Sequence, residues 1–353
     1  MISDAEVQRF QAMSPYNVTR LTRPGSDYAG AAATFEKWLD GGILNEDPPS
    51  MYVHEVEFDG RRRRDLIAAL RLQPYEDRVV LPHERTHRGP KEDRLALLRA
   101  TNVSLEPLWF LYDGAHFGVA PILEVVAKRA PAVVFTGPEA TRHRLWVISD
   151  PAIHAAVHAA FEALPVLIAD GHHRYETTLQ HSQELGGGPD ATSRFTLALL
   201  TDLGEPGLVV LPTHRVIKGG VAVTGGEDAN SLEETLAALR GRVAAGTYRD
   251  HRFQVLPLEG DVAVVELHRQ VIDNILGKRS PEDFLLYTRD PVEAVRWVDQ
   301  GVGSAAFFLD APDVRKVLKL AQDGNTLPQK STFFHPKPPS GMVFHRLQAD
   351  RDL

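Results

Sequence analysis

The sequence predicts a mixed α/β fold in which helices flank a mixed sheet, with one unit made of two closely packed lobes, residues 1–150 and 151–353. Segments with strand-like apolar patterns recur along the chain between segments with helical spacing. The chain has 353 residues, 43% hydrophobic and 24% charged, which is ample for a large core. Residues 164–179 combine a strand, a tight turn and a helix in immediate succession. These patterns leave open whether the lobes are separate domains or share one continuous sheet.

The stretch 164–189 is the most informative part of the chain. Its apolar run at residues 166–169, rich in β-branched side chains, predicts a buried strand, and Asp170-Gly171 predicts a turn. A helix is expected from His172 until the triglycine at 186–188 and the proline after it end it. Polar side chains therefore lie where a strand gives way to a helix.

The side chains at this junction suit the binding of phosphate. A helix start has unpaired backbone N–H groups and the positive end of the helix dipole, which favour an anion. Arg174 adds a planar two-pronged donor, and His172 and His173 add donors or proton carriers. Asp170 could orient a hydroxyl or hold Mg²⁺, while Gly171 lets a ligand approach the backbone. The structural alternative is that Asp170 only caps the helix and Arg174 lies on the surface.

Composition excludes several classes of protein. The formal net charge of −8 argues against nucleic-acid binding through bulk positive charge. The absence of cysteine excludes disulfides, zinc fingers, Fe–S clusters and a thiol nucleophile. No apolar run has transmembrane length, and the N-terminus lacks the apolar core of a signal peptide. We therefore expect a cytoplasmic protein with no membrane or nucleic-acid partner.

The other elements follow from the same periodicities. Before the central stretch, helices are predicted at residues 1–13 (with a capping box at 3–6), 29–39, 65–72, 91–99, 121–130 and 152–163, and strands at 18–21, 51–58, 107–112, 132–136 and 142–149. After it, strands are predicted at 194–200, 207–211, 253–256, 262–267 and 301–308, and helices at 232–244, near Val271, near Val292 and at 312–321.

A loop at residues 81–90 forms a second polar cluster. Glu84 is a candidate general base or metal ligand there. Arg85, Arg88, Lys91 and Arg94 are candidates to face an anion. Composition alone equally allows a solvent-exposed loop before a charged helix.

Two later segments also carry candidate ligands. The strand at 207–211 delivers His214 and Arg215 to its carboxyl end, the edge at which ligands gather in open α/β sheets, although a lone histidine is more often structural. The proline-rich segment 327–341 could close over a site with Lys330, Ser331 and Thr332 as its contacts. The alternative is a C-terminal tail docked on the domain.

These segments together resemble a bacterial family catalogued as domain of unknown function 1015. The matching stretches are Ser14-Pro15-Tyr16-Asn17-Val18, the loop from His83 to Arg94, the stretch from Ala169 to Thr177, Pro212-Thr213-His214-Arg215, and Lys330-Ser331-Thr332-Phe333-Phe334. The resemblance covers essentially the whole chain, 1–353, as a single family domain. Members of that family begin some tens of residues earlier, so we expect a shortened N-terminus here.

The Asp-Gly-His-His-Arg segment also resembles the phosphate-binding motif of the ParB and sulfiredoxin superfamily, which includes kinases of free L-serine. The resemblance implies ATP or another nucleotide and Mg²⁺ as cofactors, and a small hydroxy amino acid as substrate. Carried over to this chain, it implies catalytic roles for Asp170, Glu84 and His172, with Asp170 also a metal ligand. It also implies phosphate binding by His172, His173 and Arg174. With the candidates chosen above from residue type and position, the predicted nucleotide-binding residues are Gly171, His173, Arg174, Arg85, Lys91, Arg94, His214, Arg215, Lys330, Ser331 and Thr332.

The sequence contains neither a Walker A loop nor a protein-kinase glycine-rich loop, so the Asp-Gly-His-His-Arg turn would have to bind the phosphates of a nucleotide. The leading hypothesis is a kinase of free L-serine or a similar amino acid. The second is a non-catalytic, nucleotide-binding regulator of ParB-like type. The third is a metal-dependent hydrolase, suggested by the 15 histidines.

Overall fold

The computed structural model describes residues 3–84, 91–115, 118–162, 164–219 and 225–353, without the side chains of Lys91 and Pro138. The chain forms two compact units. Unit 1 comprises Met1–Pro82, Thr86–Leu208 and Pro336–Leu353, and unit 2 comprises His83–Arg85 and Val209–His335. This division differs from the predicted lobes, because strands on both sides of residue 150 belong to one sheet of unit 1.

The helices in chain order are α1 (Asp4–Met13), α2 (Thr19–Thr22), α3 (Tyr28–Asp40), α4 (Lys91–Thr101), α5 (Val119–Ala127), α6 (Pro151–Phe161), α7 (His172–Leu185), α8 (Leu232–Leu239), α9 (Ala263–Leu267), α10 (Asp273–Leu276), α11 (Pro281–Phe284), α12 (Pro291–Asp299) and α13 (Val314–Gln322). A π-helical turn, His268–Ile272, joins α9 to α10. Across the described ranges, no helix combines the length and apolar character needed to cross a membrane.

The strands are β1 (Met51–Phe58), β2 (Arg61–Arg71), β3 (Val80–Leu81), β4 (Val103–Ser104), β5 (Leu108–Tyr112), β6 (Val133–Thr136), β7 (Arg142–Ile148), β8 (Val166–Asp170), β9 (Phe195–Asp202), β10 (Val209–Leu211), β11 (His214–Ile217), β12 (Glu227–Ala229), β13 (Ala244–Arg249), β14 (Arg252–Pro257), β15 (Leu285–Thr288), β16 (Ala305–Phe308), β17 (Phe333–His335) and β18 (His345–Arg346).

Unit 1 is built on an eight-stranded mixed sheet of order β3-β8-β5-β9-β2-β1-β7-β6. The pairs β3–β8 and β5–β9 are parallel, and the other neighbours are antiparallel. β1 and β2 form a hairpin through Asp59 and Gly60, whose φ angles of 45° and 70° suit a two-residue turn. The mixed sheet flanked by helices confirms the predicted fold class.

The main core of unit 1 holds the central strand and its helix in place. Ile168 of β8, Phe110 of β5 and Tyr175 of α7 are fully buried in one apolar cluster. The Tyr175 hydroxyl donates to the Gln73 carbonyl at 2.7 Å and accepts from the Gln73 N–H at 3.0 Å. The first turn of α7 is therefore anchored by both packing and hydrogen bonds.

Unit 2 has an antiparallel six-stranded sheet of order β12-β14-β13-β16-β11-β15 and a separate pair, β10–β17. Its core contains Val216, Leu239, Tyr248 and Phe308. The predicted strand at 207–211 is present as β10, but His214 and Arg215 open the next strand, β11, rather than extending beyond a strand end.

Four segments differ from their predicted structure. Residues 18–21 are helical in α2, because the Asn17 side chain accepts from the Thr19 N–H at 3.1 Å and starts a helical turn. Residues 65–71 lie in β2, where Leu66 and Ile67 point to opposite faces of the sheet and are both buried, so the apolar run lacks strand alternation. Residues 263–267 form α9 instead of a strand. The predicted helix 232–244 ends at Leu239, since Gly241 (φ 68°) and β13 follow.

Candidate functional site

The predicted strand, turn and helix are all present at the centre of unit 1. β8 ends at Asp170, Gly171 makes the turn, and α7 begins at His172. Gly171 has φ +104°, and a Cβ atom there would lie 2.8 Å from Leu108 Cδ2 and 3.2 Å from Arg174 Nη2. Both the backbone conformation and these close neighbours therefore require glycine.

Asp170 lies between two cationic side chains. Its Oδ2 accepts from Arg174 Nη2 at 2.9 Å, and its Oδ1 accepts from Lys337 Nζ. Burial by itself would raise the pKa of Asp170, but Lys337 and Arg174 outweigh it and hold the pKa below the usual range of a carboxyl. The carboxylate is 37% exposed and stays ionised. Because Gly171 takes the N-cap position, the alternative role of Asp170 as a helix cap is wrong.

Arg174 connects Asp170 to a second carboxylate, Glu106. Arg174 Nη1 donates to the Pro107 carbonyl at 3.1 Å and lies 3.8 Å from Glu106 Oε2. Arg94 Nη1 lies 3.9 Å from the same Glu106 oxygen. Burial alone would raise the pKa of Glu106, yet Arg174, Arg94 and a hydrogen bond from Ser340 lower it. The structure thus assembles two carboxylates and three cations, counting Lys337, around the start of α7.

His172 and His173 are the first two residues of α7 and are partly buried. Within the described ranges, no group of three or more His, Asp or Glu side chains could hold a metal ion. For Mg²⁺, Asp170 offers a single carboxylate, and both of its oxygens already contact cations. These residues do not fit a resident metal site, and the hydrolase hypothesis gains no support.

The loop cluster is only partly within the described residues. Arg85 and Arg88 lie outside them, and Lys91 is the first residue of α4 with a side chain that is not described. Arg94 lies on α4 beside Arg174 and Glu106, and its role as an anion ligand stays a prediction. Burial lowers the pKa of Arg94, which Glu106 partly offsets.

Glu84 belongs to unit 2, where the proline-rich segment contacts it. The Ser331 N–H donates to Glu84 Oε1 at 2.9 Å. His83 Nε2 lies 2.8 Å from Thr332 Oγ1, and the Leu327 N–H donates to the His83 carbonyl at 2.7 Å. Three of the predicted site residues, Glu84, Ser331 and Thr332, are therefore brought together by chain segments far apart in sequence.

Arg215 is fully buried beside this group. Its guanidinium donates to the Thr213 carbonyl and, at 3.4 Å, to the Lys330 carbonyl, and it lies over the Tyr287 ring. Burial lowers the pKa of Arg215 to about 10, with Tyr287 and Glu84 acting in the opposite direction. Lys330 also lies over Tyr287, at 5.4 Å. The predicted cations Arg215 and Lys330 thus share one aromatic ring.

His214 has the environment of a core side chain. It is 1% exposed, its Nδ1 accepts from the Leu309 N–H at 3.3 Å, and its ring packs against Phe308. Burial lowers the pKa of His214 to about 4. The prediction that His214 contacts a nucleotide is therefore at odds with its burial within β11.

The interior of unit 1 contains a polar network that sequence reasoning missed. Asp65 is 0% exposed and accepts from Arg63 Nε at 2.9 Å, from His54 Nδ1 at 2.9 Å and from Thr201 Oγ1 at 2.5 Å. His54 Nε2 lies 3.0 Å from Nδ1 of His143. Burial would raise the pKa of Asp65, but Arg63, His54 and Thr201 together lower it.

This network also reaches the segment that carries Lys337. Arg63 Nη1 donates to the Pro336 carbonyl at 3.0 Å, and the Arg63 guanidinium lies 4.4 Å from the centre of the Trp109 ring. Lys337 Nζ lies 6.0 Å from the same ring. The buried charges therefore help to fix the segment whose lysine contacts Asp170.

Glu106 and Lys337 were not among the predicted site residues. Glu106 stands two residues before the apolar strand β5, and a carboxylate next to a buried strand is a usable signal. Lys337 belongs to the proline-rich segment that was expected to supply site contacts, although Lys330, Ser331 and Thr332 were chosen instead.

Comparison with known proteins gives a family and several similar structures. The sequence profile of the family described as Protein of unknown function (DUF1015) matches residues 1–310. None of the curated proteins matches the sequence.

The similar solved structures have low sequence identity to this chain. A free serine kinase in complex with AMP is 17% identical, with a TM-score of 0.46 over 80% of this chain and 92% of that chain. A conserved hypothetical protein from Pyrococcus furiosus is 16% identical, with a TM-score of 0.42 over 80% and 95%. SbnI with a C-terminal truncation, from Staphylococcus aureus, is 12% identical, with a TM-score of 0.36 over 81% and 90%. Function therefore has to be argued from the site itself.

Proposed function

The chain belongs to the family described as Protein of unknown function (DUF1015), and from that premise we propose that it is a nucleotide-dependent phosphotransferase. In this proposal it is a kinase that transfers the γ-phosphoryl group of ATP to the hydroxyl of free L-serine or a similar small hydroxy amino acid. The hydroxyl oxygen bonds to phosphorus, the bond to the ADP oxygen breaks, and the hydroxyl proton leaves to water. The products are ADP and an O-phosphoamino acid.

The observation that supports the proposal most directly is the position of Asp170 between Arg174 and Lys337 at the start of α7. Phosphoryl transfer depends mainly on positioning and on neutralising the charge of the phosphate oxygens. Arg174 and Lys337 supply that charge, and the positive end of the α7 dipole adds to it. Gly171 keeps the backbone accessible because it has no side chain.

Asp170 is proposed to position the acceptor hydroxyl rather than to store its proton. A general base works best with a pKa near the operating pH, whereas the pKa of Asp170 is held below its usual range. An ionised carboxylate can still accept a hydrogen bond from the hydroxyl and align its oxygen for attack. Mg²⁺ enters in this proposal with ATP, as part of the substrate, held mainly by phosphate oxygens.

The other predicted residues keep proposed roles according to where they lie. In unit 1, His172, His173, Lys91 and Arg94 are proposed to add donors near the start of α7. In unit 2, Arg215, Lys330, Ser331 and Thr332 are proposed as a second anion-binding group, with Glu84 as its carboxylate. Arg85 is proposed as a phosphate ligand on sequence grounds alone.

A second candidate function is a nucleotide-binding regulator without turnover. The observation in its favour is that both oxygens of Asp170 are already occupied by cations. If these ion pairs persist when ATP is bound, the carboxylate has no oxygen to offer to an acceptor hydroxyl. The two functions differ in whether ATP is consumed.

The test is phosphorus NMR of the purified protein with Mg²⁺-ATP, with and without L-serine. We expect a new phosphomonoester signal that depends on L-serine. Asp170→Asn should lower its rate of formation at least about 100-fold while preserving nucleotide affinity, because Arg174 and Lys337 lose a competing carboxylate. Arg174→Ala should weaken nucleotide binding about 10- to 100-fold, since a charged hydrogen-bond donor is lost.

Matched controls come from the same pair of helices. Arg99 of α4 and Glu184 of α7 form an exposed ion pair at 2.6 Å. Arg99→Ala removes a guanidinium as Arg174→Ala does, and Glu184→Gln replaces a carboxylate by an amide as Asp170→Asn does. Both controls should behave as the unmodified protein. Bound ATP that stays intact with L-serine present would contradict the kinase and favour the regulator.

A further inference from the structure

A cavity of about 60 Å³ lies directly beside Arg174 in unit 1. Arg94, Ser104, Glu106 and Arg174 contribute its polar lining, and leucines such as Leu105 contribute its apolar wall. A water molecule needs on the order of 10–15 Å³ of such volume, so this cavity has room for roughly four to six atoms of that size. This volume suits the head group of a small molecule.

The charges at this cavity have both signs. Glu106 Oε2 lies 3.8 Å from Arg174 Nη1 and 3.9 Å from Arg94 Nη1. Both separations exceed hydrogen-bonding distance, so the two guanidinium groups and the carboxylate attract one another without being joined. All three side chains are largely buried, with Glu106 24% exposed, which weakens screening by water.

Two of the polar groups have unused hydrogen-bonding capacity. Within the described part of the chain, Arg94 makes one hydrogen bond, to the Thr22 carbonyl at 3.4 Å, although a guanidinium has five N–H donors. Ser104 is 7% exposed, and its hydroxyl has no hydrogen-bond partner among the described residues. A buried hydroxyl of this kind costs free energy unless a ligand or water satisfies it.

The mixture of charges restricts the ligand. A phosphate or sulfate would be repelled by Glu106, and a simple cation would be repelled by Arg94 and Arg174. An uncharged apolar molecule would leave the Ser104 hydroxyl and the remaining N–H donors of Arg94 without partners. A molecule with one anionic and one cationic group a few ångströms apart satisfies both signs at once.

We infer that this cavity binds the head group of a free α-amino acid, with the carboxylate on Arg94 and Ser104 and the ammonium group on Glu106. Arg174, which reaches from Glu106 to Asp170, would then connect the amino-acid head group to the phosphate-binding turn. As an acceptor subsite, the inference rests on the proposed function, but binding of the amino acid can be measured without any phosphoryl transfer. It excludes peptides and proteins as acceptors, because their serine residues lack both head-group charges.

The experiment is calorimetric titration of the full chain, without nucleotide and with Mg²⁺-ADP, using three probes. These are L-serine, 3-hydroxypropanoate (which lacks the ammonium group) and L-serine methyl ester (which lacks the carboxylate charge). We expect L-serine to bind at least about tenfold more tightly than either analogue, since each analogue loses one charged contact. Glu106→Gln should weaken L-serine binding about 10- to 100-fold but should not weaken binding of 3-hydroxypropanoate, which has no ammonium group and is repelled by the Glu106 carboxylate.

Ser104→Ala is a second variant whose folding is not in question, since its hydroxyl has no partner to lose. It should weaken L-serine and 3-hydroxypropanoate binding by the same few-fold factor, with a melting temperature no lower than that of the unmodified protein. Glu184→Gln, at the far end of α7, is the matched control and should bind all three probes normally.

The outcomes separate this inference from the proposed function. L-serine binding that is absent under both conditions, or equally tight in Glu106→Gln, would overturn the subsite. Phosphoryl transfer to L-serine that does not depend on Glu106 would leave the kinase standing without this subsite. Binding that depends on Glu106, with ATP left intact, would keep the subsite and remove the kinase.

Discussion

Asp65 and Asp170 are carboxylates of the same unit, and each lies between two side chains that carry or can carry positive charge. Asp65 is 0% exposed and has Arg63, His54 and Thr201 as partners. Asp170 is 37% exposed and has Arg174 and Lys337 as partners. The number of ion pairs is therefore similar, and the two sites differ mainly in their access to water.

That difference separates the structural site at Asp65 from the proposed functional site at Asp170. A fully buried charge cannot exchange its partners for water, so loss of any one of them leaves a charge in a medium of low dielectric constant. Arg174 and Lys337 can instead turn from Asp170 towards a bound phosphate, because water or the ligand compensates the carboxylate. The exposure of the Asp170 pairs at a helix start, rather than the pairing alone, supports the role proposed for this site.

The largest expected effect is on stability, from Asp65→Asn. The amide cannot neutralise Arg63, which remains buried without a carboxylate, so we expect the free energy of unfolding to fall by about 3–5 kcal/mol. Asp170→Asn should change it by no more than about 1 kcal/mol, because its partners are partly exposed. Urea unfolding of both variants measures the difference. Equal losses in the two variants would show that exposure does not separate the two sites.

The sequence is sufficient to predict β8, its turn and α7, because their signals are local. The apolar run, the Asp-Gly dipeptide and the helical spacing all lie within residues 166–185, and the structure confirms them. Residues 65–72 were predicted as a helix because both faces of the sheet are buried here, as Leu66 and Ile67 on opposite faces show with 0% and 1% exposure. The apolar residues of β2 are then consecutive, and a short apolar run does not by itself distinguish a strand from a helix.

The partners of the predicted site residues could not be obtained in this way. Lys337 lies 167 residues from Asp170 along the chain, and Asp65 lies 136 residues from Thr201. No periodicity relates such positions, since only the sheet order and the path of the C-terminal segment bring them together. His214 shows the converse, because its residue type and place after an apolar strand suggest a ligand, whereas its burial in β11 is that of a core side chain, and its role as a ligand stays a prediction.

The next effect is a pH dependence of stability that arises at the buried site. Burial, with His54 and Arg63 adding to it, lowers the pKa of His143 to about 4, so this ring stays neutral in the folded state over a pH range in which the unfolded chain takes up a proton. Stability is therefore complete above pH about 6.5 and is lost as the pH falls towards 4. From pH 7 to pH 5, His143 should lower the free energy of unfolding by about 2 kcal/mol.

The measurement is urea unfolding at pH 7, 6 and 5 for the unmodified protein and for His143→Gln. The variant should be less stable at pH 7 but should lose less stability on acidification, and the exposed His158→Gln serves as its control. In unit 2, the pKa of His214 is lowered to about 4 and that of His268 to about 3. Both residues should therefore also make the free energy of unfolding fall as the pH falls. An unchanged slope in His143→Gln would contradict the assignment. Asp170 should contribute almost nothing over this range, because its carboxyl is ionised in both the folded and the unfolded state above pH about 5.

The smallest expected effect on stability is that of Lys337→Ala at the exposed site. Its ion pair with Asp170 is open to water, so removing it should change the free energy of unfolding by less than about 1 kcal/mol, as for Lys319→Ala, which removes an exposed pair with Asp323. Nucleotide affinity should nevertheless fall about tenfold in Lys337→Ala only, and the difference should shrink as salt is raised, since a charge contact to phosphate is screened. Thermal unfolding and nucleotide titration at two salt concentrations measure both quantities. A large loss of stability with unchanged nucleotide affinity would place Lys337 with the buried network of Asp65 instead, because Arg63 contacts the adjacent Pro336 carbonyl.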